Sequence, residues 1–199
     1  MNQNYHIDWM TLLHVGAGFS PKTSLPRMFD NWNEVRVDID PSTKPHIVAS
    51  MTRMPSVDAG TIDAVWSSHS LEHLTAADVR VALSEWLRVL KTDGFAFVTL
   101  PDLMQAARLV ANGKATEVLY VSPAGPVTAI DMIYGHGGAI AKGQTYMGHR
   151  TGFTSETLGQ TLVDAGFDRA DVWVEGLSLW AMGYRSEASW ERYGRKHSS

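Results

Sequence analysis

The sequence predicts one α/β domain over residues 1–199, in which an open, mostly parallel sheet carries helices on both faces. Short apolar, β-branched runs alternate along the chain with segments whose apolar residues recur at helical spacing. The first of these runs leads directly into a glycine turn, "LLHVGAG". A chain of 199 residues with 44% hydrophobic residues is long enough to bury one sizeable core.

Five strands are predicted before residue 101, in the segments 11–15, 34–39, 46–50, 61–67 and 94–100. A helix lies between the last two, with Thr75 as its N-cap and Asp78 as the capping-box partner. We expect Lys91 in its last turn and Gly94 just after its end. The apolar face of this helix consists of Val79, Leu83, Trp86, Leu87 and Leu90.

The pattern loosens over residues 101–152, which we interpret as a substrate-binding or lid insertion. It holds a helical pattern over 102–113 and a short helix near Ala129–Tyr134. A further amphipathic helix begins after Thr154 or Ser155 and ends at Gly166. The segments 170–176 and 179–185 form a closing pair of strands, and 186–199 is a polar tail.

Composition narrows the classes of function. The net charge of -4 and the pI near 6.0 argue against a dedicated nucleic-acid binder. The chain has no cysteine, which excludes disulfides and thiolate metal sites. No apolar run approaches the roughly 18 residues of a membrane span, and the N-terminal residues lack the features of a signal peptide. We therefore expect a cytoplasmic protein.

The glycine turn indicates a ligand at the carboxyl ends of the strands. In open parallel sheets, ligands bind there, where the strand order reverses. Gly16 and Gly18 let the backbone approach a ligand without an intervening Cβ. Asp38 ends the second predicted strand, close to the spacing of about 20 residues at which an acidic side chain meets ribose hydroxyls.

Three ligands compete for this turn. A dinucleotide needs a third glycine at the position of Pro21. A nucleoside triphosphate needs a P-loop, and the run from Gly16 to Lys22 and Thr23 comes close to one, but Pro21 removes an N–H from the anion nest. S-adenosylmethionine carries ribose and adenine without phosphate, so it matches both the features present and those missing.

Five segments in a fixed order resemble the class I SAM-dependent methyltransferases, in particular the small bacterial type with LHxGxG, SSHxLEH and RVLKxGG signatures. The resemblance is close over residues 12–101 and looser over 129–180. It implies a seven-stranded sheet of order 3-2-1-4-5-7-6 and S-adenosyl-L-methionine as the cofactor. The segments are "LLHVGAG", "VRVDIDP", "TIDAVWSSHSLEHL", "EWLRVLKTDGFAFVTLPDL" and "TGFTSETLGQTLVDAGF".

The resemblance also implies where the cofactor binds. Asp38 is expected to hold the ribose, with Asp40 as the alternative acid if the strand end slips. Ile39 and Met51 are expected to pack against the adenine. The full set of expected cofactor-binding residues is His14, Gly16, Ala17, Gly18, Asp38, Ile39, Met51, Ser67, Ser68 and His69.

The run "HSLEH" has two interpretations. His69, Glu72 and His73 fall at i, i+3 and i+4, which places them on one face of a helix. They either brace the turn after the fourth strand or bind a divalent metal ion together with His136 or His149, and the resemblance favours the brace, without metal. The resemblance places His69 at the sulfonium, where an imidazole suits proton removal from an acceptor near neutral pH. The alternative is that the His69 ring has no part in the reaction and only orders the loop by hydrogen bonds.

The resemblance assigns acceptor specificity to the insertion, whose glycine-rich part holds several histidines and tyrosines. Arg150 is suited to a substrate carboxylate or phosphate. Because no separate acceptor domain is visible, we expect a small-molecule acceptor and a monomer or homodimer. The catalytic candidates are His69, His136, His149 and Tyr134, and the acceptor-binding candidates are Tyr146, Arg150 and Trp180.

Three alternative functions are compatible with these sequence features. The first is methyl transfer from S-adenosylmethionine to the O, N or S atom of a small molecule. The second is a non-catalytic module that binds this cofactor or a nucleoside, because His14 and Ser20 depart from the family's usual acid and glycine. The third is a nucleotide hydrolase through Lys22 and Thr23, against which Pro21 argues.

Overall fold

The computed structural model describes residues 9–194, whose main element is a seven-stranded sheet of order β3-β2-β1-β4-β5-β9-β8. Strands β6 and β7 form a separate two-stranded hairpin. Counted within the large sheet alone, the order is 3-2-1-4-5-7-6, so the predicted topology is confirmed. The strands are β1 Thr11–Val15, β2 Asn33–Asp38, β3 Ile47–Val48, β4 Ile62–Ser68, β5 Leu90–Pro101, β6 Tyr120–Ser122, β7 Gly125–Val127, β8 Arg169–Glu175 and β9 Ser178–Tyr184.

The parallel register of β1, β2 and β4 positions the site. β1 lies between the other two strands, and Val15 pairs with Val37 on one side and Ser67 on the other. The three strands therefore end at the same edge of the sheet. The residues that follow them surround one crevice, as expected where the order of a parallel sheet reverses. In the large sheet, as far as the structure describes it, β9 alone runs against the direction of the other strands, antiparallel to its neighbours β5 and β8.

The predicted helix after the fourth strand is confirmed. Thr75 caps it by accepting a hydrogen bond from the Asp78 N–H, and its own hydroxyl donates to the Asp78 carboxylate at 2.7 Å. The prediction for Lys91 was wrong, because it lies in β5, where its ammonium binds Asp63 at 2.8 Å. The helices are α1 Ala76–Val89, α2 Leu103–Ala111, α3 Ala129–Tyr134, α4 Gly137–Ala141, α5 Ser155–Ala165 and α6 Glu187–Tyr193.

Each face of the sheet has its own core. One face packs against α1 and α5, and Leu83, Trp86 and Leu158 are fully buried there among aliphatic strand residues. The other face is aromatic, and no long helix covers it in the part of the chain the structure describes. Phe29, from the irregular connection between β1 and β2, is fully buried in this second core. Two 3-10 turns, Lys22–Ser24 and Arg27–Phe29, make up the helical part of that connection.

The insertion (residues 101–152) is more regular than its sequence suggests. The short helix expected at Ala129–Tyr134 forms with those bounds as α3, and a capping box between Thr128 and Asp131 begins it. The hairpin of β6 with β7 and the helix α4 are not predicted from the sequence. An isolated bridge between Gly135 and Gly148 fastens the end of the insertion to α3.

The polar segment 186–199 contains a helix where the sequence predicts only a tail. α6 occupies its first half, and the buried Ser189 hydroxyl donates a hydrogen bond to the Gly94 carbonyl at 2.7 Å. Tyr193 packs on Phe95 of β5, with ring centroids 4.4 Å apart. The rest of the predicted tail lies outside the described residues. Within residues 9–194, the helices are too short or too polar to cross a bilayer.

Candidate active site

The glycine turn at the end of β1 depends on its two glycines for different reasons. Gly16 has a φ of +63°, and a Cβ added there would overlap the side chain of Ser70 at the end of β4. Gly18 has a φ of +51°, but a Cβ there would meet open space. The first glycine thus permits the close approach of the β1 turn to Ser70. The second glycine is needed only because its backbone adopts a left-handed conformation.

Asp38 joins the end of β2 to this turn. Its Oδ2 accepts a hydrogen bond from the Gly18 N–H at 2.7 Å, and its Oδ1 accepts one from the Asp40 N–H at 2.8 Å. Each oxygen retains a further lone pair for a ligand hydroxyl. Ile39, next in sequence, is 69% exposed. Met51 lies beside the turn, with its methyl group 3.4 Å from the position of a Cβ on Gly16.

A buried ion network braces the turn from the neighbouring strand. The His14 ring is 2% exposed, and its Nδ1 lies 2.7 Å from a carboxylate oxygen of Glu34. Arg36 donates to the carbonyls of Gly18 at 2.8 Å and Ser20 at 2.6 Å. Burial lowers the pKa of His14 below its ordinary value, although the Glu34 carboxylate acts in the opposite direction. His14 therefore supports the turn, and its expected contact with the cofactor stays a prediction.

The end of β4 contains a strained residue. His69 has a φ of +48°, a conformation that non-glycine residues rarely adopt, and its N–H donates to the Thr99 carbonyl at 2.8 Å. Ser70 Oγ lies 3.0 Å from the Ser68 carbonyl and 3.3 Å from the Gly16 carbonyl. Ser67 is fully buried. The tips of β1 and β4 are thus held together directly beside His69.

Glu72 is the most deeply buried charge of the site. It is 1% exposed, and its Oε1 lies 3.5 Å from His69 Nδ1, which is an ion-pair distance. Burial opposes the charged form of both groups, but their attraction for each other outweighs it. The pKa of His69 is therefore raised and the pKa of Glu72 is lowered. The charges of His73 and His149 also lower the pKa of Glu72.

A cavity of about 240 Å³ lies between the end of β5 and the insertion. Glu72 forms part of its wall, and the Glu72 carbonyl accepts hydrogen bonds from the N–H groups of Arg150 and Thr151 at 2.9 and 3.2 Å. The segment around Arg150 is thereby fixed against the turn after β4. The lining residues are Glu72, Pro101, Leu103, Met132, Ile133, Tyr134, His149, Arg150, Thr151 and Gly152.

Only some of the predicted catalytic and acceptor residues meet at this cavity. Tyr134, His149 and Arg150 line it, and His69 contacts its wall through Glu72. His136 does not line it. The His136 Nδ1 instead accepts the Ala139 N–H at 3.0 Å as the N-cap of α4, and the catalytic role expected for His136 stays a prediction.

Two of the predicted acceptor-binding residues do not line this cavity. Trp180 packs in the aromatic core against Trp66 and Phe97, with ring centroids 5.9 and 5.4 Å away. Tyr146 is 52% exposed and does not line the cavity. The suspected P-loop does not form a phosphate cradle either, because the Lys22 ammonium binds the Trp32 carbonyl at 3.0 Å.

Sequence reasoning missed Glu34 and Arg36, which hold the glycine turn. A signal was present, because positions 34, 36 and 38 of a strand that borders the centre of the sheet are all charged. Such residues on one face of a strand need partners when they are buried. The remaining missed lining residues, such as Leu103 and Met132, are ordinary apolar side chains that no local pattern marks.

The comparison with protein families agrees with this geometry. Residues 13–98 match the model of the "Methyltransferase domain" family. The match begins within β1 and ends within β5, so it contains the glycine turn, Asp38 and the whole Ser67–His73 segment. The family uses S-adenosylmethionine as its methyl donor. No curated protein sequence matches the chain significantly.

Solved structures of methyltransferases share the fold. The CMeT domain of the citrinin polyketide synthase has a TM-score of 0.58 at 13% identity, over 90% of this chain and 47% of that one, so the chain spans about half its length. An Archaeoglobus fulgidus SAM-dependent methyltransferase has a TM-score of 0.57 at 13% identity, with coverages of 89% and 86%.

A third structure is the Burkholderia thailandensis 1,6-didemethyltoxoflavin-N1-methyltransferase with bound 1,6-didemethyltoxoflavin and S-adenosylhomocysteine. It has a TM-score of 0.55 at 13% identity, over 90% of this chain and 72% of that one. Identities this low establish the fold alone. Residues 13–98 thus match the methyltransferase domain family, and the chain has the fold of solved S-adenosylmethionine-dependent methyltransferases.

Proposed function

We propose that the chain transfers the methyl group of S-adenosylmethionine to an oxygen, nitrogen or sulfur atom of a small-molecule acceptor. The observation that carries this proposal is the cavity of about 240 Å³ beside the end of β4. Its wall residue Glu72 contacts His69, and Ser70, next to His69 in sequence, touches Gly16 of the glycine turn. Cavities for drug-sized ligands usually measure about 300–1,000 Å³. This cavity is slightly smaller than that range, so it suits a small acceptor.

The cofactor would lie across the ends of β1, β2 and β4. Its methionine part would follow Gly16 and Gly18, its ribose would bind Asp38, and its adenine would pack on Ile39. The free lone pairs of Asp38 and the exposure of Ile39 support this placement. Methyl transfer is an in-line displacement from a good leaving group, so positioning of the two substrates supplies most of the rate.

His69 is suited to remove a proton from the acceptor. Its Nδ1 faces Glu72, which orients the ring and leaves Nε2 to accept the proton, as in other paired catalytic groups. The acceptor atom would then form its bond to the methyl carbon as the bond from carbon to sulfur breaks. Arg150, at the rim of the cavity, would bind a carboxylate or phosphate of the acceptor.

Calorimetry with S-adenosylhomocysteine tests the placement of the cofactor. Asp38→Ala should weaken binding by about 1–3 kcal/mol, the cost of ribose hydroxyls left without a partner. Asp58→Ala, at an exposed position in another loop, is the matched control and should bind as the wild type does. Circular dichroism of each variant checks that the fold is intact. Equal affinities in both variants would contradict the placement.

A mass-spectrometric screen for methylated products tests the reaction. His69→Gln should retain its affinity for S-adenosylhomocysteine and lose about 100- to 10,000-fold in turnover, the usual contribution of a general base. Full turnover in this variant would give His69 a purely structural role. If the cofactor binds but no acceptor becomes methylated, the chain is better described as a cofactor-binding module.

A further inference from the structure

The buried carboxylate of Glu72 has an ion-pair contact with His69 but, among the described residues, no hydrogen bond. Within residues 9–194, neither of its oxygens takes part in a hydrogen bond, although the residue is only 1% exposed. Its contact with His69 Nδ1, at 3.5 Å, is too long to replace one. A buried charge in this state is costly unless an ion or a cation completes its surroundings.

Two imidazoles converge on the same carboxylate from different parts of the chain. His73 follows Glu72 directly, and His149 comes from the end of the insertion, with the two ring centroids 5.0 Å apart. One ligand atom from each of these three side chains lies within 4.8 Å of the others. Glu72 and His149 also line the cavity, so the cluster adjoins a space that a small ligand can enter.

The hydrogen bonds of both rings leave one nitrogen of each ring free. His73 Nδ1 lies 3.3 Å from the Gly148 carbonyl, and His149 Nδ1 lies 3.0 Å from the Met132 carbonyl. A carbonyl oxygen only accepts, so each Nδ1 carries the proton and each Nε2 presents its lone pair. Metal-binding histidines are oriented in this way by outer hydrogen bonds to carbonyls or carboxylates.

We propose that Glu72, His73 and His149 bind one divalent transition-metal ion at the wall of the cavity. Ligand atoms about 2.1 Å from one tetrahedral ion lie about 3.4 Å apart, so movements of about 1 Å or less by each side chain complete the set. Three protein ligands leave coordination positions open toward the cavity, where an acceptor oxygen or nitrogen could bind. The carboxylate has two oxygens and can therefore face His69 and the ion together.

The ligand set also predicts which metal binds. Two imidazoles and one carboxylate suit Zn²⁺ and its neighbours in the first transition row, whereas Mg²⁺ prefers an all-oxygen set and retains its water. The site does not depend on the acceptor proposed above. The metal site is also separate from the family match, because that match indicates a methyl donor and no metal ion.

Metal titration of the tag-free chain tests the site. After treatment with EDTA and removal of the chelator, we expect one equivalent of Zn²⁺ to bind and Mg²⁺ to bind far more weakly. Co²⁺ should give visible absorption bands typical of histidine coordination. Glu72→Gln and His149→Asn should each weaken Zn²⁺ binding by about 100-fold or more, because even loss of an outer-shell partner costs 10- to 100-fold.

The matched control is His46→Asn, which removes an exposed histidine that accepts the Arg36 N–H of β2 and should leave Zn²⁺ affinity unchanged. Calorimetry with S-adenosylhomocysteine on every variant reports cofactor binding separately, so a failure of the metal site is distinguishable from a failure of the proposed function. Two results would overturn the proposal: no uptake of Zn²⁺ by the wild type, or wild-type affinity in His149→Asn.

Discussion

At the scale of single residues, the glycine turn contains two left-handed positions of unequal importance. Gly16→Ala and Gly18→Ala both place a Cβ at a positive φ, which costs about 1–2 kcal/mol. Gly16→Ala should lower the free energy of unfolding further, because its Cβ also overlaps Ser70. Urea denaturation measures the difference, and the double variant Gly16→Ala/Ser70→Gly should recover part of it. Equal losses in the two single variants would show that β4 does not pack on the turn as described.

At the scale of elements, α1 shows how a local signal sets the start of a helix. The Thr75 hydroxyl satisfies one of the free N–H groups at the helix end, and the Asp78 carboxylate lies beside it. Thr75→Ala should therefore lower the free energy of unfolding by about 1 kcal/mol in urea denaturation. Thr116→Ala, an exposed threonine in the insertion, is the control and should change it little. If the two variants lose the same amount, the cap contributes nothing.

The elements also show where sequence information ends. Thr75 and Gly166 mark helix ends through contacts within a few residues, so the bounds of α1 and α5 follow from local chemistry. The hairpin of β6 with β7 has three-residue strands, which are too short to show an alternating pattern. α6 escaped prediction because its polar sequence hides the few residues that it buries.

The site was predictable only in part, because several of its contacts join residues that are far apart in the sequence. The resemblance places Asp38 and His69 at strand ends, and a parallel sheet necessarily brings such ends together. The contact of His149 with His73 joins positions 76 residues apart, and the pairing of His14 with Glu34 crosses two strands. No periodicity encodes contacts of this kind, because they depend on the path of the insertion and on strand register.

At the scale of the whole molecule, the buried His14 ring makes global stability depend on pH. Burial keeps its folded pKa below the unfolded value of 6.5, so below about pH 6.5 the unfolded chain takes up a proton that the folded chain does not. The contribution is therefore complete above that pH and is lost as the pH falls toward the folded pKa. The groups that face the ring are Glu34, Arg36 and Asp38.

Urea denaturation from pH 7.5 down to pH 5 checks this expectation, with His14→Gln as the comparison. The free energy of unfolding of the wild type should fall more steeply with decreasing pH than that of the variant, because other histidines titrate in both proteins and cancel in the difference. Parallel curves would mean that His14 titrates equally in the folded and unfolded chains.

The two borders of the large sheet have a consequence for self-association. β3 contributes only two residues, and β8, on the opposite border, carries Arg169, Asp171 and Glu175. A short strand and a charged strand both offer a poor template for a strand from another copy. Both borders of the sheet therefore disfavour the addition of strands from other copies. This limits fibril growth, although the interior strands are apolar.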